Sequence, residues 1–175
     1  MTLSPAPGPA AGRPALPPLP RLAAAILPVA LTTAVGSLST GGNIDGWYRT
    51  IEKPAFNPPD WVFPVAWTIL YTMIAISLWR LLGAMPRTGP SREGWWLALA
   101  AFLVQIALNA AWTPVFFTAH AIGAGLAVVA ALLVMVLWTV RLTLRFDRVA
   151  GWLLVPYAAW VAFATLLNAA IWRMN

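Results

Sequence analysis

Apolar residues gather in five long runs, and the polar positions fall almost entirely between them. The runs cover about 22–41, 61–82, 95–117, 121–144 and 149–172. Each is long enough to cross a hydrocarbon core of about 30 Å as a helix rising 1.5 Å per residue. The pattern predicts an all-α integral membrane protein, a bundle of five transmembrane helices occupying residues 21–175. The connections after the third and fourth runs are short, so those helices should be antiparallel neighbours. The longest connection is 42–60. Residues 1–20 are rich in Pro, Ala and Gly without periodicity, as in a disordered or polyproline-like tail. They do not resemble a secretory signal, because the positive residues come late and the apolar run that follows is too long.

Composition agrees with a lipid solvent. Of 175 residues, 61% are hydrophobic and only 9% are charged, and the mean hydropathy is +0.76. Soluble domains hold about a quarter charged residues, because their surfaces face water. The acids Asp45, Glu52, Asp60, Glu93 and Asp147 and the single histidine, His120, lie between the runs or at their edges. Ion-coupled carriers and pumps keep ionisable groups inside the membrane, so that class is disfavoured. Cysteine is absent, which excludes a disulfide framework and thiolate chemistry. With one histidine, no metal site is expected.

The net charge of +6 comes from basic residues scattered over termini and loops, which suits membrane topology better than nucleic acid. On the amino-terminal side fall Arg13, Arg21, Arg80, Arg87, Arg92, Arg141, Arg145 and Arg148; on the other, Arg49, Lys53 and Arg173. The excess of Lys and Arg on cytoplasmic faces then predicts a plasma-membrane protein with its amino terminus in the cytoplasm. An outer-membrane location is the alternative.

Eleven tryptophans punctuate the chain. Trp61, Trp95, Trp96, Trp152 and Trp172 lie near span ends and read as interfacial anchors. Trp67, Trp112 and Trp160 lie deeper, where an indole N–H should seek a partner in the bundle or a ligand. In the third span Phe102, Gln105, Asn109, Trp112 and Phe116 recur at helical spacing and form one stripe. Its two amides are costly in lipid unless hydrogen-bonded, so the stripe should face inward, as helix–helix glue or as a polar anchor beside aromatic walls. Phe63, Trp67, Tyr71 and Ile74 form a second stripe, and Tyr157, Trp160, Ala164, Leu167 and Ile171 a third. Together they can line an apolar cavity for a flat aromatic ligand.

Prolines punctuate the same region. Pro58 and Pro59 hold the chain extended before Asp60, a candidate cap for the second span, and Pro64 falls in that span's first turn. Pro114 should bend or end the third span, and Pro156 falls near the start of the fifth.

Several motifs recur in order: Trp47-Tyr48, Lys53-Pro54, Asn57-Pro58-Pro59, Trp61-Val62-Phe63-Pro64, Ala66-Trp67-Thr68, Leu108-Asn109, Trp112-Thr113-Pro114, Pro156-Tyr157, Trp160 and Leu167-Asn168. From about residue 22 to the end they resemble the tryptophan-rich sensory protein or translocator protein family (TspO, peripheral benzodiazepine receptor). The resemblance implies a five-helix bundle, commonly a homodimer, with the first loop folded over a pocket. It implies porphyrins and related tetrapyrroles, or benzodiazepine-type and isoquinoline compounds, as ligands rather than a resident cofactor. It places Trp47, Tyr48, Trp67, Asn109, Trp112, Trp160 and Ala164 at the pocket, and the stripes add Phe63 and Gln105. The carboxy-terminal stretch 167–173 lacks the tyrosine of the animal cholesterol motif, which disfavours sterol binding.

The reading placed first is a membrane receptor or sensor that binds protoporphyrin-like molecules and regulates or traffics them. The second is light-dependent oxidative breakdown of the bound porphyrin, with Trp67 or Trp160 as redox partner, because no conventional catalytic constellation lies in the spans. A transporter and a purely structural bundle complete the alternatives.

Overall fold

Seven helices carry the chain in the computed structural model, which describes residues 17–43, 46–86 and 88–175. The expected tail up to residue 16, with Arg13, and also Asp45 and Arg87, lie outside the described residues. Helix α1 is Pro18–Thr40, α2 Trp47–Thr50, α3 Val62–Gly83 and α4 Pro90–Thr113, the last prolonged by a π-helical turn at Pro114–Thr118. Then come α5 Ile122–Leu144, α6 Arg148–Leu153 and α7 Val155–Met174. Among the described residues, five helical stretches are long and apolar enough to cross a membrane. Among the described residues there is no strand.

The ends of the helices follow local chemistry. Proline begins α1 and α4, where a missing N–H costs nothing. Pro114 lacks the N–H that would continue α4, so the helix widens by one π turn before stopping. Its carbonyl accepts from Ala119 N–H at 2.9 Å. The fifth span is two helices rather than one. The break falls at Leu154, immediately before Val155-Pro156, which start α7. Asp147, not a residue inside the span, caps α6 by accepting from Ala150 N–H at 2.9 Å. The amino terminus of α3 also differs from expectation. Its capping position is Trp61 in helical conformation, with no side-chain cap, so Asp60 is not the cap.

The helices close into a ring: α1 contacts α3 and α4, α4 contacts α5, α5 contacts α6 and α7, and α3 returns to α6 and α7. The core runs along the ring's inside, through Ile74, Leu78, Phe102, Val136, Tyr157 and Val161. Bulky apolar side chains also cover the outside, among them Leu27, Leu31, Val134 and Leu166, as expected where lipid replaces water. Gly125 lets α5 approach closely, since a Cβ there would meet Phe116 at 3.1 Å and Asn168 Oδ1 at 3.3 Å. Trp61, Trp96, Trp152 and Trp172 are well exposed, as anchors should be. Trp95 is not an anchor. It is 2% exposed, and its indole donates to the Leu81 carbonyl at 2.8 Å, tying α4 to the end of α3.

On the face opposite the lid, Arg80 and Asp147 form a two-point ion pair, with Nε–Oδ1 at 3.1 Å and Nη2–Oδ2 at 2.9 Å. Burial works against the Asp147 carboxylate. The Ala150 N–H and the Arg80 guanidinium outweigh it and hold the carboxyl below its ordinary range.

Candidate functional site

At the other end of the bundle, the carboxy-terminal half of α1, the first turns of α3, the end of α4 and the second half of α7 diverge. They leave a cavity of about 540 Å³, within the range of about 300–1,000 Å³ that suits one drug-sized ligand. Its aromatic wall comes from Phe63, Trp67, Trp112, Phe116, Trp160 and Phe163. The opposite wall is a small, hydroxyl-bearing face of α1, Thr33, Gly36, Ser37 and Thr40. These four sit at helical spacing, i, i+3, i+4 and i+7. Among the described residues, one carboxylate, Asp60, lines the space, and no Lys or Arg does.

The rings interlock. Trp67 stacks on Tyr71 with centroids 5.0 Å apart and meets Trp160 edge-on at 6.5 Å. Phe63 meets Trp160 edge-on at 6.1 Å, and Trp112 stacks on Phe116 at 5.4 Å. The three deep indoles differ in one respect that matters. Trp112 donates to Asn168 Oδ1 at 3.2 Å, while Asn168 Nδ2 holds the Ile122 carbonyl at 3.0 Å. Among the described residues, neither Trp67 nor Trp160 has a hydrogen-bond acceptor for its N–H, although both rings line the cavity. An indole N–H in an apolar space is a donor available to a ligand.

Of the connection between α1 and α3, residues 46–61 fold back over this end. Gly42, in the left-handed region at φ 80°, starts the reversal, and the short α2 follows. Tyr48 of α2 is buried against Phe116 and Phe117, and its hydroxyl donates to Asn57 Oδ1 at 3.0 Å. The Lys53 ammonium lies 4.8 Å from the Tyr48 ring centre. Burial, helped by the nearby Asp60 charge, pushes the Tyr48 phenol up to about 12. Trp47 stacks at 4.3 Å on His120, whose backbone is left-handed at φ 54°. Asn175 fastens the middle of the loop: its Oδ1 accepts from Glu52 N–H at 3.0 Å and its Nδ2 donates to the Glu52 carbonyl at 3.1 Å.

Of the residues singled out in the sequence, Tyr48, Phe63, Trp67, Trp112, Trp160 and Ala164 share the cavity wall. Trp47, Gln105 and Asn109 do not. Trp47 braces the lid from outside, against Phe116 and His120. Asn109 lies below the cavity and is fully engaged: Tyr71 donates to its Oδ1 at 2.9 Å, and its Nδ2 donates to the Tyr157 hydroxyl at 2.8 Å. It reaches the cavity only through Tyr71. Gln105 lies deeper still, 1% exposed. Among the contributors that escaped sequence reasoning are the α1 hydroxyl face, Phe163, Asp60 and Asn168. Two of these had a signal, since Asn168 falls one turn after Ala164 and the α1 face has helical period.

Residues 24–173 match the TspO/MBR family. Over 142 residues the chain is 39% identical to protein CrtK of Rhodobacter capsulatus, covering 81% of this chain and 84% of the relative. It is 39% identical over 145 residues to the tryptophan-rich sensory protein of Cereibacter sphaeroides, with 81% and 87% covered. It is 34% identical over 149 residues to the translocator protein of Homo sapiens, with 81% and 82% covered.

Proposed function

The chain belongs to the TspO/MBR family of membrane proteins, and on that premise we propose that it is a receptor for tetrapyrroles of the protoporphyrin type, which it senses or hands on. The observation that carries this is the aromatic lining itself: nine rings around one cavity, with the indole donors of Trp67 and Trp160 left open. A flat macrocycle matches such a wall by stacking, and the two indole N–H groups can face its electron-rich π surface. With Asp60 as the only carboxylate and no cation in the lining among the described residues, the carboxylate arms of such a ligand would point outward at the mouth, where water solvates them. The lid that Tyr48 seals would exclude water from the macrocycle. The membrane orientation that accompanies this reading keeps the amino terminus cytoplasmic and the lid outside.

Titration with protoporphyrin IX in lipid nanodiscs tests it. Saturable quenching of tryptophan fluorescence is expected, and Trp67→Leu should weaken it. Quenching no stronger than partition into empty nanodiscs would end the proposal. A second reading, photo-oxidation of the bound ligand, is favoured by the contiguous rings of Trp67, Tyr71 and Trp160. Illumination of the complex in air should then bleach the porphyrin faster than in nanodiscs alone, and an equal rate removes it.

A further inference from the structure

The cavity is not closed on every side, and the exposure of its lining shows which side is open. Among the described lining residues, Thr33 and Ser37 of α1, Asp60 just before α3, and Pro64 and Thr68 of α3 are exposed. Every lining residue from α2, α4, the π turn and α7 is buried or half-buried. The other seams are filled. Between α1 and α4, a Cβ on Gly36 would touch Thr113 Oγ1 at 3.9 Å. Between α5 and α7, Asn168 holds the Ile122 carbonyl. Between α3 and α7, Trp160 meets the rings of Phe63 and Trp67 edge-on. What stays open is a slot between the carboxy-terminal half of α1 and the first turns of α3.

The slot faces lipid rather than water. Val35, Leu38, Val65 and Ile69 lie beside it on the same two helices and are exposed, as apolar side chains that meet a bilayer are. Trp61, at the head of α3, is exposed in the manner of an interfacial anchor. Thr68 follows seven residues later, about 10 Å further along the helix. The slot therefore reaches down among the acyl chains. Thr33, Ser37, Pro64 and Thr68 are all small, so no ring has to swing aside to clear it. The Thr33 and Thr68 hydroxyls donate to the Val29 carbonyl at 3.0 Å and the Pro64 carbonyl at 2.8 Å, so neither presents an unmet donor to lipid.

We infer that the ligand passes sideways between the bilayer and the cavity, through this slot between α1 and α3, without leaving the membrane for water. The identity of the ligand rests on the receptor reading above, whereas the slot is a property of the fold. An amphipathic macrocycle dissolved in a bilayer keeps its ring among the acyl chains and its carboxylates at the interface. Sideways entry leaves both at the same depth, with the ring reaching the aromatic wall and the carboxylates reaching the mouth. Entry through the lid would carry the apolar ring through water, and it would break the packing of Tyr48 on Phe116 and Phe117.

The chain has no cysteine, so Ala164→Cys carries a single nitroxide label on the cavity wall, with Phe163→Cys in its place if that variant does not fold. In lipid nanodiscs, collisions of the label with membrane-dissolved oxygen should exceed those with a water-soluble nickel chelate several-fold. Adding Ser37→Trp, or Thr68→Trp on the facing rim, should at least halve the oxygen collisions. Nickel ahead of oxygen, low collisions with both, or no effect of either tryptophan overturns the slot. Stopped-flow quenching with protoporphyrin IX preloaded in donor vesicles tests the passage itself. Ser37→Trp should slow uptake and release together, by about tenfold or more, because both directions share the route, whereas damage to the site would speed release. Unchanged rates or faster release overturn the route. If protoporphyrin IX gives no saturable quenching even at long times, the receptor reading fails and the label alone decides the slot.

Discussion

Asn109→Leu is the substitution that most directly tests how the floor of the cavity is held. Leucine keeps the volume roughly but removes both arms of the link between α3 and α7. Tyr71 loses an acceptor at 2.9 Å and the Tyr157 oxygen loses a donor at 2.8 Å. A cross-helix hydrogen bond in a membrane protein contributes about 0.6 kcal/mol on average and up to about 1.7. Two such bonds put the loss at about 1–3 kcal/mol, near the cost of burying one unsatisfied polar group. For a chain of this size that is about 2–12 °C in Tm, at about 2–4 °C per kcal/mol. Thermal unfolding followed by circular dichroism gives the number, with the lipid-facing Trp96→Leu as comparison. A double-mutant cycle then isolates the bond. Tyr71→Phe should cost stability in the unaltered protein and almost nothing beside Asn109→Leu, because its partner has already gone. An equal cost of Tyr71→Phe in both backgrounds would refute the link, and so would an Asn109→Leu Tm no lower than that of Trp96→Leu.

Three further outcomes are expected. Ala164→Phe projects a ring into the cavity and should weaken porphyrin quenching about tenfold or more while leaving Tm unchanged or raised; full binding would place the ligand elsewhere. Asn168→Leu orphans the Trp112 N–H and removes the additional side-chain donor to the Ile122 carbonyl; it should cost about 1–2 kcal/mol by thermal unfolding, less when combined with Trp112→Phe, which no longer needs the acceptor. Tyr48 has its phenol raised from 10.0 to about 12 by burial, so its contribution to lid closure is complete below pH 10 and is lost as pH rises through about 12. The difference in 295 nm absorbance titration between the protein and Tyr48→Phe should therefore show one phenol ionising near 12, and a midpoint near 10 would mean that the lid is open.

Period and polarity along the chain were enough for the class of fold and for most of one wall of the site. An apolar run of some twenty residues has one stable form in lipid, a helix, because every backbone N–H and C=O must be satisfied within the segment. The five spans therefore agree with the helices to within a few residues, and the α3 and α7 stripes line the cavity except at Ile74 and Tyr157, which lie buried in the core. The limits of that reasoning lie where partners come from distant parts of the chain. Trp95 looks like an interfacial anchor until α3 ends beside it and offers the Leu81 carbonyl. Asp60 has the residue type and position of a cap, yet the chain enters α3 through Trp61 in helical conformation and leaves the carboxylate at the cavity. Asn109 and Gln105 share a helical stripe with Trp112, but the stripe runs down the whole bundle and the cavity occupies only its lid end. Periodicity tells which way a side chain faces, not how deep the cavity reaches. That depth was set by Tyr71, whose ring closes the floor because Asn109 and Tyr157 hold its hydroxyl from another helix, and only the folded bundle brings those three together.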